Sequence, residues 1–208
     1  MINDWKTFLK TQGFEKIDRK DFLRSAMPIS AHIYETPLRV GQRGVRLNAA
    51  IEIHDPWIFG REYHVIHLRG DVTPEGIYVN YDETPRWLHP DEKDQVCEVI
   101  EGCLMDWVKH WSDLHHLIQY FENPVDIVMT RLANDGKYCE HIAGVPAKRR
   151  IVPYENYLLS LLYYHTGKFE KALAAAKRYF ELYAKDSSNE VEPQRTKRQI
   201  EALASKII

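Results

Sequence analysis

Apolar positions recur first at helical spacing, then in strict alternation, then at helical spacing again, so the chain reads as helix, sheet and helices in that order. Trp5, Phe8 and Leu9 fall on one face of a first helix that Asn3 or Asp4 can cap and Gly13 can end. The clearest strand is Gly44 to His54. There Val45, Leu47, Ala49, Ile51 and Ile53 alternate with Arg46, Asn48, Ala50, Glu52 and His54, which predicts one buried face and one turned to solvent or a groove. Asp21 to Ala26, Ile29 to Thr36, Glu62 to Gly70 and Gly76 to Tyr81 are its expected neighbours, with links short enough for an antiparallel meander. The expected fold class is α+β, an antiparallel sheet of four or five strands packed with helices.

Helical spacing returns past Pro90, where Asp91 can cap a long helix carrying Val96, Ile100, Cys103, Trp107 and Trp111. Ser112 can cap a second helix with Leu114, Leu117, Ile118 and Phe121; a bend at Trp111 and a continuous helix both fit the spacing. Pro124 suits the first turn of another short helix ending near Ala133, and Asn134-Asp135-Gly136 reads as a turn. The stretch to Val152 holds Gly144, Pro146 and the basic run Lys148-Arg149-Arg150, and reads as a connection. The expected organisation is an α+β domain at 1–136, a linker at 137–152 and a helical part at 153–208.

In that helical part Leu159, Ser160, Tyr163, Gly167, Phe169, Ala172 and Leu173 stand at the spacing of a helical hairpin. Gly167 permits a tight helix stop, Ala172 lets two helices approach closely, and the aromatic residues fill the crevice between them. From Asn156 to Ala184 the segment resembles a single tetratricopeptide repeat, a family of hairpins that mediate protein contacts. Tyr179 and Ala184 depart from it, standing where the pattern usually has a small residue and a proline. Arrays of such repeats need about three copies to bury a continuous core. A single copy is therefore expected to dock on the α+β domain, with a final capping helix from Pro193 presenting Ile200, Leu203 and Ile207.

Composition changes this picture little. The 208 residues are 44% hydrophobic and 28% charged with a net charge of -2, a globular composition without general attraction for nucleic acid, so a nucleic-acid partner is not expected. Cys97, Cys103 and Cys139 show no paired metal-ligand spacing and read as reduced thiols. The first residues lack the basic-then-apolar pattern of a secretory leader, and no apolar run is long enough for a bilayer. A cytoplasmic protein without membrane association is expected.

Candidate chemistry concentrates at His54, Asp55, His64, His67 and Asp71. On a strand His64 and His67 project to opposite faces, so they do not share one metal without a bulge. His54, Asp55 and His67 remain the candidate catalytic residues, against a reading as a sheet-edge cluster. Gly41-Gln42-Arg43-Gly44 lacks the lysine and spacing of a phosphate loop and reads as a hairpin turn. No cofactor or metal site is expected. Trp57 and Trp87, in turns beside prolines, and Lys148, Arg149 and Arg150 are the candidate binding residues.

The opening helix with Phe8-Leu9, the Gly13-Phe14 pair, Phe22-Leu23-Arg24, the strand from Val45 to Ile53, and Trp87-Leu88 carry a second resemblance. Over Phe8 to about Phe121 the chain is similar to a bacterial domain-of-unknown-function family, number four-three-zero-four. The resemblance implies an α+β fold and a binding role of the kind found in immunity or accessory proteins of bacterial toxin systems. The expectation is a non-enzymatic protein that binds a protein partner, in its specific form an immunity protein neutralising a cognate toxin. A metal-dependent hydrolase or nuclease using the group from His54 to Asp71, and a structural subunit of a larger assembly, stay open as alternatives.

Overall fold

Apolar alternation becomes an eight-stranded antiparallel sheet in the computed structural model, which describes residues 5–19, 21–36, 46–57, 64–80, 93–123, 127–133, 139–143, 153–188 and 191–207. The strands are β1 (Glu15–Asp18), β2 (Asp21–Ala26), β3 (Ile29–Thr36), β4 (Arg46–His54), β5 (His64–Thr73), β6 (Gly76–Asn80), β7 (Ile127–Leu132) and β8 (Cys139–Ala143). Each lies beside its sequence neighbour, so the sheet is a meander, larger than the four or five strands expected. The added members are β1, β7 and β8. Ile127–Leu132 is a strand where a helix from Pro124 to Ala133 was expected, and β8 lies inside the stretch read as a linker.

The chain divides into two units, one of 1–52, 66–113 and 125–147 and the other of 53–65, 114–124 and 148–208. In the first unit, α1 (Trp5–Thr11) ends where Phe14 N–H bonds the Leu9 carbonyl and Gly13 N–H that of Lys10, with Gly13 at φ 81°. These bonds satisfy the last carbonyls of the helix, as the glycine predicts. The long helix α2 (Lys93–Trp111) packs on β6, β7 and β8, burying Ile100, Leu104 and Trp107. Gly70 and Gly102 make that approach possible, because a Cβ on Gly70 would lie 3.2 Å from Trp107 Cζ2 and one on Gly102 2.6 Å from Leu132 Cδ2. Cys103 is buried, and Cys97 and Cys139 are half-buried; all three are free thiols.

α2 ends at Trp111 and α3 (Leu114–Glu122) begins after Ser112 and Asp113, so the helix series breaks there. In the second unit α3 buries Leu117, Ile118, Tyr120 and Phe121. α4 (Pro153–His165) and α5 (Phe169–Leu182) pack against each other across a short turn. Gly167 stands there at φ 72°, with Lys168 N–H on the Tyr163 carbonyl and Gly167 N–H on that of Tyr164. Ala172 and Ala176 are fully buried, so small side chains set the spacing of the two helices. A 3-10 turn (Ala184–Asp186) leads to α6 (Val191–Ala204), with Pro193 in its first turn. α6 buries Thr196, Gln199 and Leu203, while Ile200 is half-buried and Ile207 exposed, so its packed face is more polar than Ile200, Leu203 and Ile207 imply. Among the described residues no helix is long and apolar enough to cross a membrane.

Candidate functional site

The second unit gathers its unusual chemistry where α4, α5 and α6 meet. Tyr154 and Tyr157 are one turn apart on α4, and Tyr179 and Tyr183 one turn apart at the end of α5. Their rings form a ladder: centroids are 5.8 Å apart from Tyr154 to Tyr157, 5.2 Å from Tyr157 to Tyr179, and 5.7 Å from Tyr179 to Tyr183. The inner pair is buried. The outer pair is exposed, at 40% and 51%; Leu182, next to Tyr183 in sequence, is exposed at 45%, and Val191, next to Glu192 at the start of α6, at 68%.

Polar groups brace the ladder from α6. Tyr179 Oη donates to Glu192 Oε1 at 2.7 Å, and Arg195 also reaches that carboxylate. The Arg195 guanidinium lies over the Tyr157 ring at 4.5 Å and stands 4.0 Å from Asp55 Oδ2. Gln199 Nε2 donates to Ser160 Oγ at 2.6 Å, and Ser160 donates to the Tyr157 carbonyl. Burial, reinforced by Glu192, keeps the Tyr179 phenol from ionising, so it stays a neutral hydrogen-bonding group. Tyr163 is fastened similarly. Its hydroxyl donates to Glu122 of α3, and Lys171 lies over its ring at 5.4 Å.

The first unit carries a polar network on one face of β3, β4 and β5. Asn48 Nδ2 donates to Thr36 Oγ1 at 2.6 Å and Arg69 Nε donates to Asn48 Oδ1 at 2.8 Å, a relay across three strands. Arg46 holds Asp71 through Nε at 3.1 Å and a terminal nitrogen at 3.0 Å, and His32 Nδ1 lies 3.0 Å from Glu52. Asn48, Ala50 and Glu52 are buried, so β4 is buried on both faces rather than one. Tyr34 sits among these groups with its phenol pushed up, chiefly by burial against the pull of Arg69 and Arg46. Buried charges here are paired, as their desolvation requires.

The candidates from sequence are distributed as follows. Asp55 is buried in a turn, accepting the Trp57 N–H at 2.9 Å, and burial pushes its carboxyl up. His54 ends β4, and its carbonyl accepts a hydrogen bond from His165 Nε2 at 2.8 Å, which places the proton on that nitrogen. Burial lowers the His165 pKa below its ordinary 6.5. Trp57 is half-buried and packs edge-on against Tyr164, 4.8 Å between centroids. Asp71 belongs to the first unit, where Arg46 takes it. Of the described side chains in the group from His54 to Asp71, Asp55 has its partners in the second unit and Asp71 in the first. His67 lies on β5 with its side chain outside the described residues, as do Trp87, Lys148, Arg149 and Arg150 entirely. Among the described residues no group of three or more His, Cys, Asp or Glu could hold a metal ion.

The tyrosine ladder escaped the sequence reading, although Tyr179 stood out in it as too bulky for its place in the hairpin pattern. That misfit was the signal. Compared with protein-family models, curated proteins and solved structures, the chain matches none of them.

Proposed function

We propose that the protein is a non-enzymatic, cytoplasmic binding protein whose recognition surface is the exposed end of the tyrosine ladder. The exposed Tyr154 and Tyr183, with Leu182 and Val191, carry the reading. Tyrosine combines large contact area with a polar tip and is enriched among residues that dominate protein interfaces. Two rungs fixed by burial and by Glu192 and Arg195 hold the outer rungs at little entropic cost to binding. The α4–α5 pair is taken as a hairpin of the tetratricopeptide type, a reading supported by Gly167 at positive φ and the buried Ala172. The resemblance to the bacterial family over Phe8 to about Phe121 favours a partner from a toxin system, so the specific proposal is an immunity protein.

Co-expression with the products of neighbouring genes, followed by co-purification, tests it. The wild-type chain is expected to retain a partner that the Leu182→Ala/Tyr183→Ala/Val191→Ala variant loses by about a hundredfold in affinity, the range of two interface anchors. Equal retention by the variant would reject the ladder surface, and no retained neighbour would reject the immunity version.

A further inference from the structure

The first unit contains a groove of about 430 Å³ between the β2–β3 hairpin and the last turns of α2. Its floor is apolar, with the largely buried Ile29, Ala31 and Val108, and its rim carries Arg24, Asp106 and Lys109. Arg24 and Lys109 are exposed, and among the described residues neither has a hydrogen-bond or ion-pair partner. Burial chiefly, and the Asp106 carboxylate with it, pushes the Cys139 thiol up. Two full positive charges thus face one carboxylate and the roughly half negative charge of a helix C-terminus, which leaves a positive excess at the rim. The volume lies within the range of small-molecule sites, roughly 300–1,000 Å³, and an apolar floor with a few polar rim groups is their usual construction.

We infer that this groove binds a small amphiphilic carboxylate, its apolar body on Ile29, Ala31 and Val108 and its anionic end between Arg24 and Lys109. The guanidinium supplies a paired donor to the carboxylate and the ammonium a mobile charge. Nothing in this requires the tyrosine ladder, so the two proposals stand or fall separately.

Titration calorimetry with octanoate, octanamide and octylammonium tests it, because the three share one tail and differ in charge. Octanoate is expected to bind saturably at one site. Octanamide should bind at least about tenfold more weakly, and Arg24→Gln/Lys109→Gln should weaken octanoate by about tenfold or more while leaving octanamide unchanged. Both substitutions are at exposed positions and should leave folding intact, which circular dichroism checks. Absence of saturable octanoate binding, equal binding of octanamide or octylammonium, or an unaffected double variant would each overturn the inference.

Discussion

Asp55 shows how a residue that looks catalytic in sequence acts when its surroundings are known. It is almost wholly buried, bonds the Trp57 N–H, and has Arg195 no nearer than 4.0 Å, so desolvation outweighs attraction and its folded pKa lies above the ordinary 3.8. A raised carboxyl pKa means that the folded state holds its proton more tightly than the unfolded state. The contribution of Asp55 to stability is therefore full below pH 3.8 and is lost as pH rises through the folded value. Asp55→Asn keeps the turn acceptor without the charge. In urea unfolding, the wild-type stability measured against this variant should fall as pH rises above 3.8. Asp55→Ala, which also loses the turn, should cost a further ~1 kcal/mol at every pH. A wild-type stability that rises relative to Asp55→Asn over that range would contradict this account.

At the scale of elements, turn chemistry was more legible than pairing. Gly13 and Gly167 were readable as helix stops because a positive φ has a direct sequence cost. β2 to β6 were readable because β-branched and aromatic residues alternate between turn residues. β1 was missed because Glu15–Asp18 is exposed throughout and carries no apolar face. β7 was misread because Ile127, Val128 and Leu132 fit a helical period as well as a strand's. What settles it is the pairing of Ile77 on β6 with Thr130, which is nonlocal. The ladder and the Thr36–Asn48–Arg69 relay were hidden for the same reason, since their members become neighbours only once register and helix packing exist.

Gly76 gives this scale its test. It stands at φ 153° in the β5–β6 turn, and a Cβ there would lie 2.4 Å from the Thr130 carbonyl oxygen, a backbone atom on β7. At Gly167, by contrast, a Cβ would meet nothing within 4 Å. Thermal or chemical denaturation should show Gly76→Ala costing about 2–3 kcal/mol, through overpacking added to backbone strain. Gly167→Ala should cost only ~1 kcal/mol, the left-handed strain alone. Equal losses would mean that the close approach of β6 and β7 is not rigid.

On the scale of the whole molecule, neither unit is a single stretch of chain. The second takes 53–65 and 114–124 from within the region that a linear reading assigns to the first domain. α3 contacts α4, and its Leu117, Ile118 and Phe121 are buried. A fragment of residues 1–152 should therefore expose α3 and prove aggregation-prone or molten, despite containing every strand of the sheet. Solubility and near-ultraviolet circular dichroism of that fragment measure this. A soluble fragment with native-like tertiary signal would show that α3 does not depend on the hairpin.

The same interleaving sets an order for synthesis. A chain leaving the ribosome has the whole of the first unit once Ala147 has emerged, whereas 53–65 and α3 belong to a unit whose remaining partners come from Lys148 to Ile208. Domains generally fold as units during translation. The amphipathic α3 then gains its packing partner α4 only when the hairpin has been made. A nascent chain paused between these points would be the form most exposed to chaperones, and the hairpin the segment that releases it.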